Sequence, residues 1–273
     1  MSDAILKVEH LCKSFSKDGE RIEAVRDVSF ELRRGECVGL IGESGSGKST
    51  VANLIAGLET ADSGRIVMNG TDLLDRKDRA GVRACRSKLQ MIFQNPRLSF
   101  NPAMTIGQGI EEAVRYYQRI PAKQRHGMML ERLRQVGLPE TYADKKAAQL
   151  SGGECQRAAI ARALMANPDL LLCDEITSAL DVSVQAQVMA LLMDIRRTSD
   201  MSMLFISHDI ALVSMLCDRL LVMYKGVIVE DGATEDIIHN SQNDYTRNLI
   251  ASVFTADEAT MDRWQKERDN ADG

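Results

Sequence analysis

The residues best equipped for chemistry lie at positions 42–50 and read GESGSGKST. Gly42, four residues, then Gly47, Lys48 and Ser49 is the spacing of a phosphate-binding loop. Each residue type has a physical job there. Gly42, Gly45 and Gly47 let the backbone turn tightly and aim its N–H groups inward. Glu43, Ser44, Ser46 and Thr50 complete the cradle. A helix beginning at its end adds partial positive charge beneath the phosphates. Lys48 reaches the β and γ phosphates of a nucleoside triphosphate, and the Ser49 hydroxyl is suited to Mg²⁺. The expectation is a protein that binds a nucleoside triphosphate.

Such a loop needs an acidic partner strand. Residues 170–175, LLLCDE, supply a short apolar run ending in two carboxylates. Asp174 is placed to hold Mg²⁺, and Glu175 to polarise an attacking water. Three further stretches lie in order along the chain: KLQMIFQ ending at Gln94, LSGGE over 150–154, and ISHD containing His208.

The elements that must position these residues follow from pattern. Residues 37–41 are apolar, as a buried strand should be, and 50–56 read as a helix, so the loop sits in a strand–loop–helix context. Strands are expected at 4–9, within 22–32, at 63–70, 88–94 and 202–206. The run 170–173 is apolar throughout, as in parallel sheets covered on both faces. Lys225-Gly226 between 220–224 and 227–229 signals a hairpin. Helical periodicity marks Ile106, Ile110, Ala113, Val114 and Tyr117, then Leu130, Leu133 and Val136. It marks Val184, Val188, Leu191, Leu192 and Ile195 as well, and 210–217 is the next helix. Residues 72–86 are dense in charge and read as a short helix and loop. Residues 95–167 look like a helical insertion in an α/β domain, and 253–273 like a polar tail anchored at most by Trp264.

Composition narrows the function. A chain of 273 residues, 44% hydrophobic and 27% charged, can bury a sizeable core. The net charge of −5 and the absence of a long basic run give no support for a nucleic-acid surface. No apolar run approaches membrane-span length, and Met1-Ser2-Asp3 carries no signal peptide, so the cytosol is the expected compartment. Six cysteines form no C-x-x-C pair, and buried thiols are expected rather than a disulfide framework or metal cluster. Met128, Met129, Met189 and Met193 fall at helical spacing and read as core filling.

The ordered set of stretches resembles the ABC ATPases, over residues 4 to about 252. Leu150-Ser151-Gly152-Gly153-Glu154 is similar to the L-S-G-G-[QE] signature of that family. The resemblance implies a P-loop NTPase cassette of α/β class, with a RecA-like core, an N-terminal antiparallel β subdomain and an inserted α-helical subdomain. It implies that Ser151, Gly152 and Gly153 clamp the γ-phosphate held by a second cassette, so that two cassettes sandwich two ATP molecules. It further implies that Gln94 touches Mg²⁺ and the attacking water, and that Asp181, in Ser178-Ala179-Leu180-Asp181, lies at the dimer seam. By the same resemblance His208 senses the γ-phosphate and Phe15 stacks on adenine. Ile176 stands where the family usually has proline, but both carboxylates remain, so ATPase activity is expected.

Residues 93–102, FQNPRLSFNP, with Thr105-Ile106-Gly107, 177–185 and Tyr245-Thr246-Arg247, resemble the oligopeptide, dipeptide and nickel importer branch. That resemblance implies an ATPase subunit peripheral to the cytoplasmic face of the membrane. Its partners would be a paralogous cassette, two membrane permease subunits and, indirectly, an extracytoplasmic binding protein, with peptide, nickel or a metal complex as cargo. No cysteine follows Cys217, so the iron–sulfur cluster often found in the branch is not expected. The alternative is an ABC-like subunit of a soluble enzyme complex such as carbon–phosphorus lyase. An ABC protein acting on nucleic acid or ribosomes fits less well, because a second cassette and a long coiled coil are both missing from these 273 residues.

Overall fold

The computed structural model describes residues 4–17, 19–115 and 120–254. Two long strands open the chain, β1 (Ala4–Lys17) and β2 (Glu20–Arg33). Then come β3 (Cys37–Ile41), α1 (Lys48–Ala56), β4 (Ser63–Met68) and β5 (Thr71–Asp72). Next are α2 (Arg79–Ser87), β6 (Leu89–Ile92), α3 (Ile106–Arg115), α4 (Ala122–Gln135) and α5 (Gly152–Leu164). The remainder is β7 (Leu170–Asp174), α6 (Val182–Arg197), β8 (Ser202–Ser207) and α7 (Ile210–Leu216). It ends with β9 (Arg219–Tyr224), β10 (Val227–Ala233), α8 (Thr234–Asn240) and α9 (Asp244–Phe254).

The strands form two sheets. One is four-stranded and antiparallel, in the order β2-β1-β4-β5. The other has the order β10-β9-β3-β8-β7-β6, with every pair parallel except the β9–β10 hairpin. Every residue of β3, β7 and β8 is buried, because both faces of this sheet are covered. Side chains alternate between two cores. Val38, Leu40, Leu170, Leu172, Leu204 and Ile206 face the antiparallel sheet and α1. Cys37, Ile41, Leu171, Cys173, Met203 and Phe205 face the side covered by α3–α7. Each such side chain contributes about 1.5–3 kcal/mol by leaving water.

Strand ends are in register where it matters. Ile41 pairs with Ser207, Ile206 with Asp174, and Cys173 with Ile92. The chain segments that leave β3, β6, β7 and β8 therefore emerge along one edge, the carboxyl edge where open parallel sheets place ligands.

Several expectations are met closely. The strand 37–41 and the helix after the loop form, and Lys225 and Gly226 take left-handed backbone, with φ of 44° and 86°, in a tight hairpin turn. Between β6 and β7 only helical elements occur among the described residues. All six thiols are free and five are buried, with Cys12 half-buried. Met129 and Met189 are buried, and Met128 and Met193 pack against the same core.

Other expectations need correction. β6 stops at Ile92, so Gln94 lies two residues beyond the strand rather than ending it. The charged stretch begins with a short strand, β5, that pairs with β4. Helices α8 and α9 were not anticipated, and α9 runs to Phe254, past the expected start of the tail. Tyr117, Trp264 and the rest of that tail lie outside the described residues.

Candidate nucleotide site

The loop between β3 and α1 is shaped by two glycines that no other residue could replace. Gly42 has φ 148°, and a Cβ there would meet the Met223 carbonyl oxygen at 2.1 Å. Gly47 has φ 108°, and its Cβ would meet the Ala24 carbonyl oxygen at 2.2 Å. Gly47 heads α1 without any side-chain cap, so the positive end of the helix stays open toward the cradle. Lys48 curls back beneath the loop. Its Nζ donates to the Gly42 carbonyl at 2.7 Å and the Glu43 carbonyl at 2.8 Å, with Ser46 Oγ at 3.5 Å. Burial pushes the Lys48 ammonium below its ordinary pKa, against the pull of Glu175, Asp174 and Glu43. From behind, the Gly226 N–H donates to the Ser46 carbonyl at 2.9 Å and Glu43 N–H donates to the Tyr245 hydroxyl at 3.0 Å.

Asp174 and Glu175 leave β7 in different directions. Asp174 is buried and accepts a hydrogen bond from Ser49 Oγ at 2.9 Å. Burial raises its pKa, opposed by the Ser49 hydroxyl. Two hard oxygen donors side by side, the Ser49 hydroxyl and the Asp174 carboxylate, are a donor set that fits Mg²⁺. Glu175 has φ 47°, unusual for a residue with a side chain, and its N–H donates to the Ile206 carbonyl at 2.9 Å. This costly backbone turn swings its carboxylate away from Asp174. Gln94 Nε2 donates to Glu175 Oε2 at 3.1 Å, and His208 Nδ1 lies 3.5 Å from Glu175 Oε1. Ser178 locks the corner: its hydroxyl contacts Gln94 Nε2 at 3.1 Å and donates to the Glu175 carbonyl at 2.9 Å. Ile176 is buried, so the position usually given to proline is used for packing.

Ser151, Gly152 and Gly153 form a second anion-type site on α5. Ser151 caps the helix: its Oγ accepts Glu154 N–H at 3.3 Å, and Glu154 Oε2 accepts Ser151 N–H at 2.8 Å. Tyr142 donates to the other Glu154 oxygen at 2.7 Å. The Ser151 N–H, followed by the Tyr142 and Ser151 hydroxyls, holds the Glu154 carboxyl down to about 2. The Gly152 and Gly153 N–H groups belong to the first turn of the helix and have no carbonyl partner within it. Ser151 and Gly152 are exposed and Gly153 is buried. Gly153 lies against α6, where a Cβ would meet Val184 Cγ1 at 2.4 Å. Asp181 caps that same α6, accepting from Val184 N–H at 3.0 Å and Ser183 Oγ at 2.7 Å. Arg97 Nη2 donates to the Leu150 carbonyl at 3.2 Å and so links the segment after Gln94 to this signature turn. Phe15 stands on β1 opposite Ile22, and both are exposed.

One cluster thus contains Lys48, Ser49, Gln94, Asp174, Glu175 and His208. The signature turn and Asp181 form a second, and Phe15 stands on the antiparallel sheet. Ser178, Arg97 and the Tyr245 bond to the loop were not assigned roles from sequence. All three lie in stretches marked by the branch resemblance, but the partners Gln94 of Ser178, Leu150 of Arg97 and Glu43 of Tyr245 are distant in the chain.

The ABC transporter family profile matches residues 25–178. The chain is similar to a probable peptide ABC transporter ATP-binding protein, y4tS, of Sinorhizobium fredii, at 41% identity over 95% of this chain and 75% of the relative. It is 44% identical to the oligopeptide transport ATP-binding protein OppF of Escherichia coli, over 88% of this chain and 72% of the relative. Among solved structures it matches the dimeric ATP-binding cassette MJ0796 in a post-hydrolysis state bound to ADP and Pi, with TM-score 0.75 and 28% identity, over 84% of this chain and 98% of that one. It also matches cbiO1 of Clostridium perfringens, part of the transporter complex cbiONQ, with the same TM-score and identity over 88% and 93% of the two chains. On sequence and fold together, the chain belongs to the ABC transporter family.

Proposed function

We propose that the chain is the ATP-hydrolysing subunit of an ABC importer for peptides. The observation that carries the chemistry is the Glu175 carboxylate, with one oxygen on Gln94 and the other facing His208. Lys48 and the open start of α1 bind the β and γ phosphates. Ser49, Asp174 and Gln94 would hold Mg²⁺, which neutralises charge on the phosphate oxygens when bound. Glu175 accepts the proton of the attacking water, while Gln94 and His208 fix its orientation. Phe15 stacks on adenine.

Ser151, Gly152 and Gly153 complete the site of a second cassette, with Asp181 at the seam. That cassette is a paralogue in our reading, so the working unit is a heterodimer. It docks beneath two membrane permease subunits on the cytoplasmic face, fed by an extracytoplasmic binding protein. In support, no helix among the described residues is long and apolar enough to cross a membrane. Peptide is favoured over nickel or metal complexes by the names of the relatives. Residues 4–252 make up the ATPase unit, with 95–167 as its helical subdomain and 253–273 as a tail.

Substitution Glu175→Gln tests this reading. It keeps the Gln94 contact but removes the base, so hydrolysis falls by about 10²–10⁴-fold while ATP still closes the dimer. Undiminished turnover would remove Glu175 from its role. Purification from membranes should bring down polytopic partners; capture of a soluble enzyme complex instead would favour the lyase-type alternative.

A further inference from the structure

We infer that Tyr245 is a positioning residue for the nucleotide loop, and that it ties the loop to the C-terminal helices. The peptide unit between Gly42 and Glu43 is held at both of its polar ends. Its carbonyl accepts Lys48 Nζ at 2.7 Å, and its N–H donates to the Tyr245 hydroxyl at 3.0 Å, from a residue 202 positions away. A peptide plane is rigid, so fixing both ends sets its orientation. That orientation decides where Lys48 rests before a phosphate arrives. It also commits the Glu43 N–H to Tyr245 rather than to a phosphate.

The loop has two rear supports, and they differ in origin. Ser46 is held by the Gly226 N–H of the β9–β10 turn, which belongs to the same sheet as β3. Glu43 is held by α9, which lies outside that sheet. Tyr245 is itself well seated. Its ring packs on Tyr224 with centroids 4.2 Å apart, and its N–H donates to Asn243 Oδ1 at 2.9 Å. The turn before α9 is fastened to β10, where Glu230 accepts Ser241 Oγ at 2.7 Å and the Gln242 N–H at 2.8 Å. The next residue, Thr246, is fully buried, and Ile250 joins the main core. The same helix packs against α7, which starts two residues after His208. Helix α9 therefore touches both the loop that holds the phosphates and the helix that follows the switch histidine.

The inference rests on the loop binding nucleotide, but its first readout needs none. In the full chain, Tyr245→Phe keeps the ring on Tyr224 and deletes the acceptor. Without nucleotide, the Glu43 amide should exchange with solvent about 3- to 10-fold faster, the range of one lost hydrogen bond. The Gly226 amide should be unchanged within about 2-fold. ATP binding, followed with a fluorescent analogue, should weaken by about 3- to 10-fold, with the melting temperature held. Unchanged exchange at Glu43 overturns the proposal. So does faster exchange with unaltered ATP binding, and so does equal loosening of Gly226 with a lowered melting temperature, which would mark Tyr245 as mere packing. If neither protein binds ATP at all, the nucleotide reading fails, and the Glu43 exchange still reports on the clamp.

Discussion

Two helices in this chain carry glycine at their starts, and they are finished in opposite ways. Helix α1 starts at Gly47 with no cap and a lysine folded beneath it. Helix α5 starts at Ser151 with a reciprocal cap, its third residue Glu154 reaching back to the backbone. The first is an open cradle with a buried lysine at its base. The second is capped by its own Ser151 and Glu154 and carries a carboxylate at its positive end. In our proposal the open helix end backed by Lys48 binds phosphate, and the capped one adds to a phosphate held by a second cassette. The two cassettes then contribute unequal halves to each site.

The largest effect should come from breaking the open half. Lys48→Ala removes the buried cation that balances Asp174, Glu175 and the phosphates. Hydrolysis should drop by about 10²-fold or more, with ATP binding lost alongside it in a filter assay.

The capped half should separate structure from function at two adjacent glycines. Gly153→Ala drives a methyl into Val184 and should destabilise the chain by about 1–3 kcal/mol in urea unfolding. Gly152→Ala meets only Leu180, at 3.6 Å. Its stability should change by less than about 0.5 kcal/mol, while hydrolysis in the assembled dimer still falls. If both behave alike, the close packing of α5 on α6 is not what the second glycine is for.

A smaller effect concerns the cap. Glu154→Ala should cost about 1 kcal/mol of stability, read as a lower melting temperature with α5 otherwise intact. The pH dependence has a definite sign. The carboxyl is held down to about 2 from an ordinary 4.5, so its stabilising contribution is complete above 4.5 and lost as pH falls from there toward 2. Glu154→Gln keeps an acceptor without a charge. The stability advantage of the native chain over this variant should shrink across that window, and a constant gap would contradict the assignment.

Much of this was legible in the chain itself, for physical reasons. The β3–loop–α1 unit is local: apolar run, glycines and helix are contiguous, so its limits could be read closely. The Lys225-Gly226 turn was legible because its backbone demands residues that accept positive φ. Ser151 and Glu154 also match the capping-box spacing, a signal contained within the signature itself. What sequence could not show depends on long-range closure. The left-handed Glu175 is held by an N–H bond to Ile206 on β8, and the Tyr245 bond spans 202 residues. Helix α8 is short, at seven residues, and α9 follows it closely, so neither gave a strong period.

The most direct test of unequal halves is to measure ATP binding and ATP hydrolysis together in Ser151→Ala within the assembled dimer. In our proposal Ser151 only completes a neighbour's site, so ATP affinity of the mutated chain should stay within about 2-fold. Hydrolysis should fall by about 10-fold or more. Hydrolysis at the native rate, or binding lost in the mutated chain itself, would contradict the account.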